Sequence, residues 1–204
     1  MSPRTGILPQ AASEIELDPL YPLTEIGGPL ACGPEALEHG GGAMPEPYRS
    51  LLVHESDMTS TLEAFWGEPI DLRPLARRKH GESLLREVLL VGRRSGRVLE
   101  YGAIRIALDA FGPGARAAIL EGHQPLGSIL SRFEVPYTSR PRLFFGLCAE
   151  PRIASHLGAD GTHATGGPAD TTLFGRCNVL ASPAGVLADV VEILPPIQRG
   201  GELD

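Results

Sequence analysis

Two charged residues stand where buried strands should carry none, and they are the chain's candidates for chemistry. In Ser83-Leu84-Leu85-Arg86-Glu87-Val88-Leu89-Leu90-Val91, a period of two sets Leu84, Arg86, Val88 and Leu90 on one face. Leu85, Glu87, Leu89 and Val91 share the other. Each face is apolar apart from one charge, the pattern of a strand covered on both sides. An unpaired ion buried there costs roughly several kcal/mol even after relaxation. Arg86 therefore needs a protein carboxylate or an anionic ligand. Near the end of the chain, Val186, Ala188, Val190, Glu192 and Leu194 form a second apolar row with one charge. A carboxylate in such a row needs a cation or hydrogen-bond donors, or it stays protonated. Fraying of the strand end would leave Glu192 in water; otherwise two arrangements satisfy both residues. Arg86 and Glu192 pair with each other, or they flank a small anionic ligand, with Arg86 on its carboxylate and Glu192 on a hydroxyl.

The bulk properties narrow the setting. With 204 residues, the chain supports one sizeable core, or a domain and an appendage. A formal charge of −7 argues against a general nucleic-acid or anionic-membrane surface, since both need basic patches. Lys79 is the one lysine beside 17 arginines, whose planar forks suit carboxylates. Cys32, Cys148 and Cys177 are widely spaced and odd in number, which predicts neither a disulfide framework nor a zinc site. Cys148 and Cys177 fall on predicted strands as small core residues. The six histidines show no metal-ligand spacing. No signal peptide or bilayer-length apolar run is apparent, so a cytoplasmic location is expected.

The elements that must position these residues follow from pattern and punctuation. Residues 1–44, rich in Pro, Gly and small residues, read as an irregular N-terminal extension, and 45–204 as one domain. Ser56 or Asp57 caps a helix over Met58–Trp66, which Gly67 ends. A Pro- and Arg-containing connection, Ile70–His80, leads to strands at Leu84–Val91 and Val98–Leu108. Gly92-Arg93-Arg94-Ser95-Gly96 joins them as a hairpin. Two short helices follow, Ala115–Glu121 and Leu126–Phe133, then a strand over Arg142–Ala149. A long loop over Gly158–Asp170 precedes the hairpin Leu173–Ala181 and Val186–Leu194. Hairpin-linked strands with clustered helices make an α+β pattern with an antiparallel sheet.

Four short stretches, in order, resemble the chorismate pyruvate-lyase family. They are Asp57-Met58-Thr59 with Leu62-Glu63, then Leu85-Arg86-Glu87-Val88-Leu89-Leu90, then Pro125-Leu126-Gly127 with Ile129-Leu130. The last is Phe174-Gly175-Arg176, leading to Glu192 and Pro195-Pro196. The resemblance covers roughly 45 to 197. It implies a single α+β domain, an antiparallel sheet with helical flaps closing over a buried site. It also implies a carbon–oxygen lyase that eliminates pyruvate from chorismate to leave 4-hydroxybenzoate, with neither metal nor organic cofactor. Arg86 would hold the ring carboxylate and Glu192 the ring-oxygen end, as catalytic residues. Met58 and Leu126 would add substrate contacts from the flaps. Arg105 is counted in that binding set as well, with a bulge or a shifted register compensating for Ile104, which separates it from Ala103. The alternative is a non-catalytic module binding a small aromatic acid on the same scaffold.

Overall fold

The computed structural model describes residues 18–37, 39–148, 150–158 and 172–197. Along the chain these form α1 (Leu23–Gly27), β1 (Glu35–Ala36), α2 (Tyr48–Leu52), α3 (Met58–Trp66) and β2 (Ile70–His80). Then come β3 (Ser83–Gly92), β4 (Val98–Ala107), α4 (Pro113–Glu121), α5 (Leu126–Arg132) and β5 (Thr138–Cys148). The last are α6 (Pro151–Leu157), β6 (Thr172–Ser182) and β7 (Gly185–Ile193). The strands make one seven-stranded sheet in the order β1-β5-β6-β7-β4-β3-β2. Every neighbouring pair is antiparallel. This is the single-domain α+β architecture that the pattern of strands and helices predicts.

Local chemistry explains the element boundaries. Asp57 caps α3 by accepting the Ser60 N–H at 2.9 Å, and Gly67 closes the helix at φ 64. β3 and β4 are buried almost end to end because helices cover both faces. The connection expected over 70–80 is instead β2, the edge strand beside β3. Pro74 and four basic residues hide its strand character. Pro74 sits at a register shift between Pro74 and Ala76, where a missing N–H is tolerated. Charges along a solvent-facing edge discourage pairing with other chains.

The two faces of the sheet bury different groups. On the back, Leu89, Tyr101, Ala103, Val191 and Ile193 pack against Leu20 and Leu23 and against Ile153, Ala154 and Leu157 of α6. The back-face charge of β3 is satisfied there: Glu87 accepts from Tyr101 Oη at 2.8 Å and pairs with Arg152. On the front, Leu84, Ile104, Ile106 and Ala188 lie beneath α4 and α5. Leu90 and Leu194 pack with Leu51, Leu52, Met58 and Leu62 of α2 and α3. Residues 18–37 thus reach the core through Leu20 and Leu23, while the loop expected over 158–170 lies outside the described residues beyond Gly158.

One cysteine expectation is corrected. Cys32 and Cys148 form a disulfide across 116 residues of sequence. The pairing of β1 with β5, Glu35 opposite Gly146, brings them together, and no spacing in the sequence encodes that meeting. Such bonds are rare where thiols are kept reduced. Cys177 is buried in the back-face core as expected, and burial pushes its thiol up to about 12. Among the described residues no helix is long and apolar enough to cross a membrane.

Gly175 is where β6 presses against its neighbours. A Cβ there would lie 2.5 Å from Phe145 Cζ and 2.6 Å from the Glu192 carbonyl oxygen, one of them backbone that cannot swing aside. Gly175→Ala is expected to lower stability by about 1–3 kcal/mol, read as a lower denaturation midpoint. An unchanged midpoint would show that β6 and β7 are not held this closely.

Candidate functional site

The register lays the front-face side chains out in rows across four strands. Arg86, Ile104, Val190 and Asn178 stand side by side on β3, β4, β7 and β6. The next row is Val88, Gly102, Glu192 and Arg176, and beyond it Leu90 lies beside Glu100. Two guanidinium groups and two carboxyl groups therefore share one buried face. All four are between 0% and 6% exposed.

Only one ion pair forms among them. Arg176 and Glu192 are direct cross-strand partners, and Arg176 Nε donates to Glu192 Oε2. Arg176 is also fully consumed elsewhere. Its Nη1 donates to the carbonyls of Leu52 and His54, each at 2.9 Å, and its Nη2 reaches Ser56 O at 3.5 Å. The guanidinium thereby ties the segment between α2 and α3 to the sheet. Burial, and next the Arg176 charge, hold the neighbouring His54 below its usual pKa, which favours a neutral imidazole.

Arg86 is left without a partner. Among the described residues its Nε and Nη1 make no hydrogen bond, although the residue is 2% exposed. Glu192 lies two strands away, about 10 Å laterally between backbones, and is already taken. Burial, with Arg77 opposite it on β2, pulls the pKa of Arg86 down to about 10. At neutral pH it remains a cation. Among the described residues, two further cavity-lining residues hold a buried polar atom without a partner, Glu100 at Oε2 and Asn178 at Oδ1. Asn178 spends its amide on Ser139 Oγ at 2.9 Å. Burial first, then the Glu192 charge, raise Glu100 well above the ordinary carboxylate range, although Arg176 opposes the rise.

The residues that carry these groups line one cavity, with about 80 Å3 open to the centres of water molecules. Arg86, Glu100, Asn178, Arg176 and Glu192 supply its polar points. Val88, Ile104, Val190 and Leu180 make an apolar floor, with Gly102 among them. Met58 and Thr59 of α3 and Leu126 and Gly127 of α5 close it from above. The two flaps meet tightly, since a Cβ on Gly127 would lie 3.2 Å from Asp57 Oδ1. The arrangement can hold a small anion in a largely apolar pocket and meet it with one free guanidinium.

Of the residues singled out from sequence, Arg86, Glu192, Met58 and Leu126 line this cavity. Arg105 does not. No bulge lies between it and Arg86 in the β3–β4 register: Leu85 stands opposite Arg105, and Ile104 opposite Arg86. Arg105 therefore points to the back face, where it pairs with Asp189 at 3.2 Å. Glu100, Asn178 and the pairing role of Arg176 were missed. Glu100 was detectable by the test that found Arg86, because it is a charge in line with Gly102, Ile104 and Ile106. Asn178 had no such signal.

No family model and no curated protein matches the sequence. The fold is similar to that of PhnF from Mycobacterium smegmatis, with a TM-score of 0.52 at 13% identity, over 70% of this chain and 65% of that one. The chain thus spans 65% of the length of PhnF. The effector domain of PhnF from the same organism scores 0.49 at 13% identity, over 68% of this chain and 88% of that one. A GntR-family transcriptional regulator from Bacillus cereus scores 0.44 at 11%, over 66% and 99%. The fold is α+β and chorismate lyase-like. The expected lyase is overturned. The solved structure that it resembles with a TM-score above 0.5 is described as PhnF, not as a lyase. The geometry agrees, since Glu192 is engaged by Arg176.

The unequal treatment of the two arginines has opposite consequences for stability. Arg176→Met strands Glu192 and frees three backbone carbonyls, and should destabilise by about 3–5 kcal/mol. Arg86→Met removes an unpaired buried charge, and should stabilise the ligand-free protein by about 1 kcal/mol or more. Urea denaturation of both variants checks the pair of signs. Destabilisation by Arg86→Met would mean that Arg86 has a partner in the folded protein.

Proposed function

We propose that this domain is a non-catalytic binding module for a small aromatic acid, with Arg86 gripping the ligand carboxylate. The observation that carries the reading is that Arg86 lines the cavity and has two buried nitrogens, Nε and Nη1, with no hydrogen-bond partner among the described residues. In a guanidinium, Nε–H runs parallel to an N–H of Nη2, and the two Nη groups offer a second parallel pair. Either fork matches the two oxygens of a carboxylate. Binding such an anion would relieve the desolvation cost that the empty site carries. Val88, Ile104, Val190, Met58 and Leu126 offer the apolar walls that a ring needs. Turnover has no support in the same geometry, because the acid expected to act at the ring-oxygen end is held in an ion pair.

Isothermal titration with benzoate and 4-hydroxybenzoate tests this. Arg86→Ala should weaken both by about 100-fold, the value of a charge-assisted pair of hydrogen bonds. Arg86→Lys should still lose about tenfold, because a point charge cannot reproduce the fork. Chorismate should release no pyruvate in a coupled assay. Equal affinity in Arg86→Ala would remove the basis for the reading.

A further inference from the structure

We propose that Glu100 determines ligand specificity, its carboxyl donating a hydrogen bond to an uncharged oxygen at the end of the ligand away from Arg86. The inference rests on the acid-binding reading and adds the identity of the second contact. Its first support is geometric. Glu100 is 4% exposed, lines the same cavity as Arg86, and has an Oε2 without a partner among the described residues. It pairs in register with Leu90, four positions along β3 from Arg86, or roughly 13 Å between backbones at 3.3 Å per residue. The two residues line the same cavity from positions four apart along the sheet. Val88 and Gly102 form the floor of that span. A Cβ on Gly102 would lie 3.1 Å from Glu100 Oε1 and 3.2 Å from Val88 Cγ2, so glycine keeps the Glu100 carboxyl free to face the ligand.

The second support is electrostatic. The charged groups that face Glu100 are Glu192 from β7, Arg176 from β6 and Arg86 from β3, with His54 behind Arg176 and Asp57 at the rim. The Arg176 charge is already balanced by Glu192. A second carboxylate beside that pair would be buried without a cation of its own. Burial and Glu192 accordingly push Glu100 towards its acid form. A neutral carboxyl carries one O–H and must find an acceptor. Its best acceptor is a hydroxyl or carbonyl oxygen, because a second anion on the ligand would meet Glu192 as well. With Glu100 neutral, the cavity holds one uncompensated positive charge, that of Arg86. Its preferred ligand is a monoanion with an uncharged oxygen at the far end.

The test compares benzoate with 4-hydroxybenzoate on the wild-type protein, Glu100→Gln and Glu100→Ala, by titration calorimetry. In the wild type the hydroxyl should improve affinity by about tenfold, the net value of one buried hydrogen bond. Glu100→Gln keeps a neutral donor of the same shape and should retain the preference. Glu100→Ala should lose it, read as the ratio of the two affinities measured on that same variant. A raised carboxyl pKa means that the donor is lost as pH rises through that value. The wild-type preference should therefore decline at high pH, whereas that of Glu100→Gln should not. Comparing both proteins on one probe at one pH cancels titration of the phenol. No hydroxyl preference, or a Glu100→Gln variant as impaired as Glu100→Ala, overturns this inference. The acid-binding reading would survive that result as long as benzoate affinity still depends on Arg86. If neither probe binds the wild-type protein, both fall together.

Discussion

The cross-strand contact between Arg176 and Glu192 organises everything on the front face of the sheet. Four ionisable side chains are buried there, and the register allows one direct pair. Arg176 and Glu192 stand opposite each other on β6 and β7, which meets the first demand of any buried ion. Once that pair has formed, Arg86 has no carboxylate within reach and Glu100 has no free cation. The unsatisfied pair is a consequence of the satisfied one. A fold that neutralised all four groups internally would have no site.

The same contact also builds the roof. Arg176 holds the carbonyls of Leu52 and His54, and this fixes where the chain enters α3. Asp57 then caps α3, and Met58 and Thr59 come down over the cavity. The start of α5 closes from the other side, with Gly127 against Asp57. Sheet, segment and flap therefore form a connected unit, in which the floor positions the lid through hydrogen bonds and not through hydrophobic contact alone. The back face is insulated from this. Its own charge, Glu87, is neutralised by Arg152 and Tyr101, so the two sides of β3 solve the same problem in opposite ways.

Much of this was legible residue by residue. The hairpins around 92–96 and 182–185, the helix Met58–Trp66 and its cap were readable because turn chemistry and periodicity are local signals. The edge strand β2 was not, because an edge needs neither alternation nor freedom from proline, and Pro74 with Arg73, Arg77 and Arg78 imitates a loop. Arg86 announced itself as a charge in an apolar row. Glu100 carried the same signature but in a strand whose face also holds Gly102, which weakens the visible pattern. The lyase expectation followed family-like motifs that mark the scaffold. Motifs of that kind preserve where a ligand sits more readily than what happens to it.

Composition, alternation and turns by themselves determined an antiparallel α+β domain in which one inner strand is covered on both faces and buries a guanidinium. They did so because burial and hydrogen-bonding rules act over a few residues. The tertiary structure alone decided which carboxylate that guanidinium would meet, and among the described residues the answer was none. Partnership between buried charges depends on strand order and register, and these bring residues 176 and 192 together while leaving 86 two strands away. The side to which Arg105 points, and the meeting of Cys32 with Cys148, were settled in the same way. Each depends on which strand lies beside which, a relation between distant segments that no local pattern encodes.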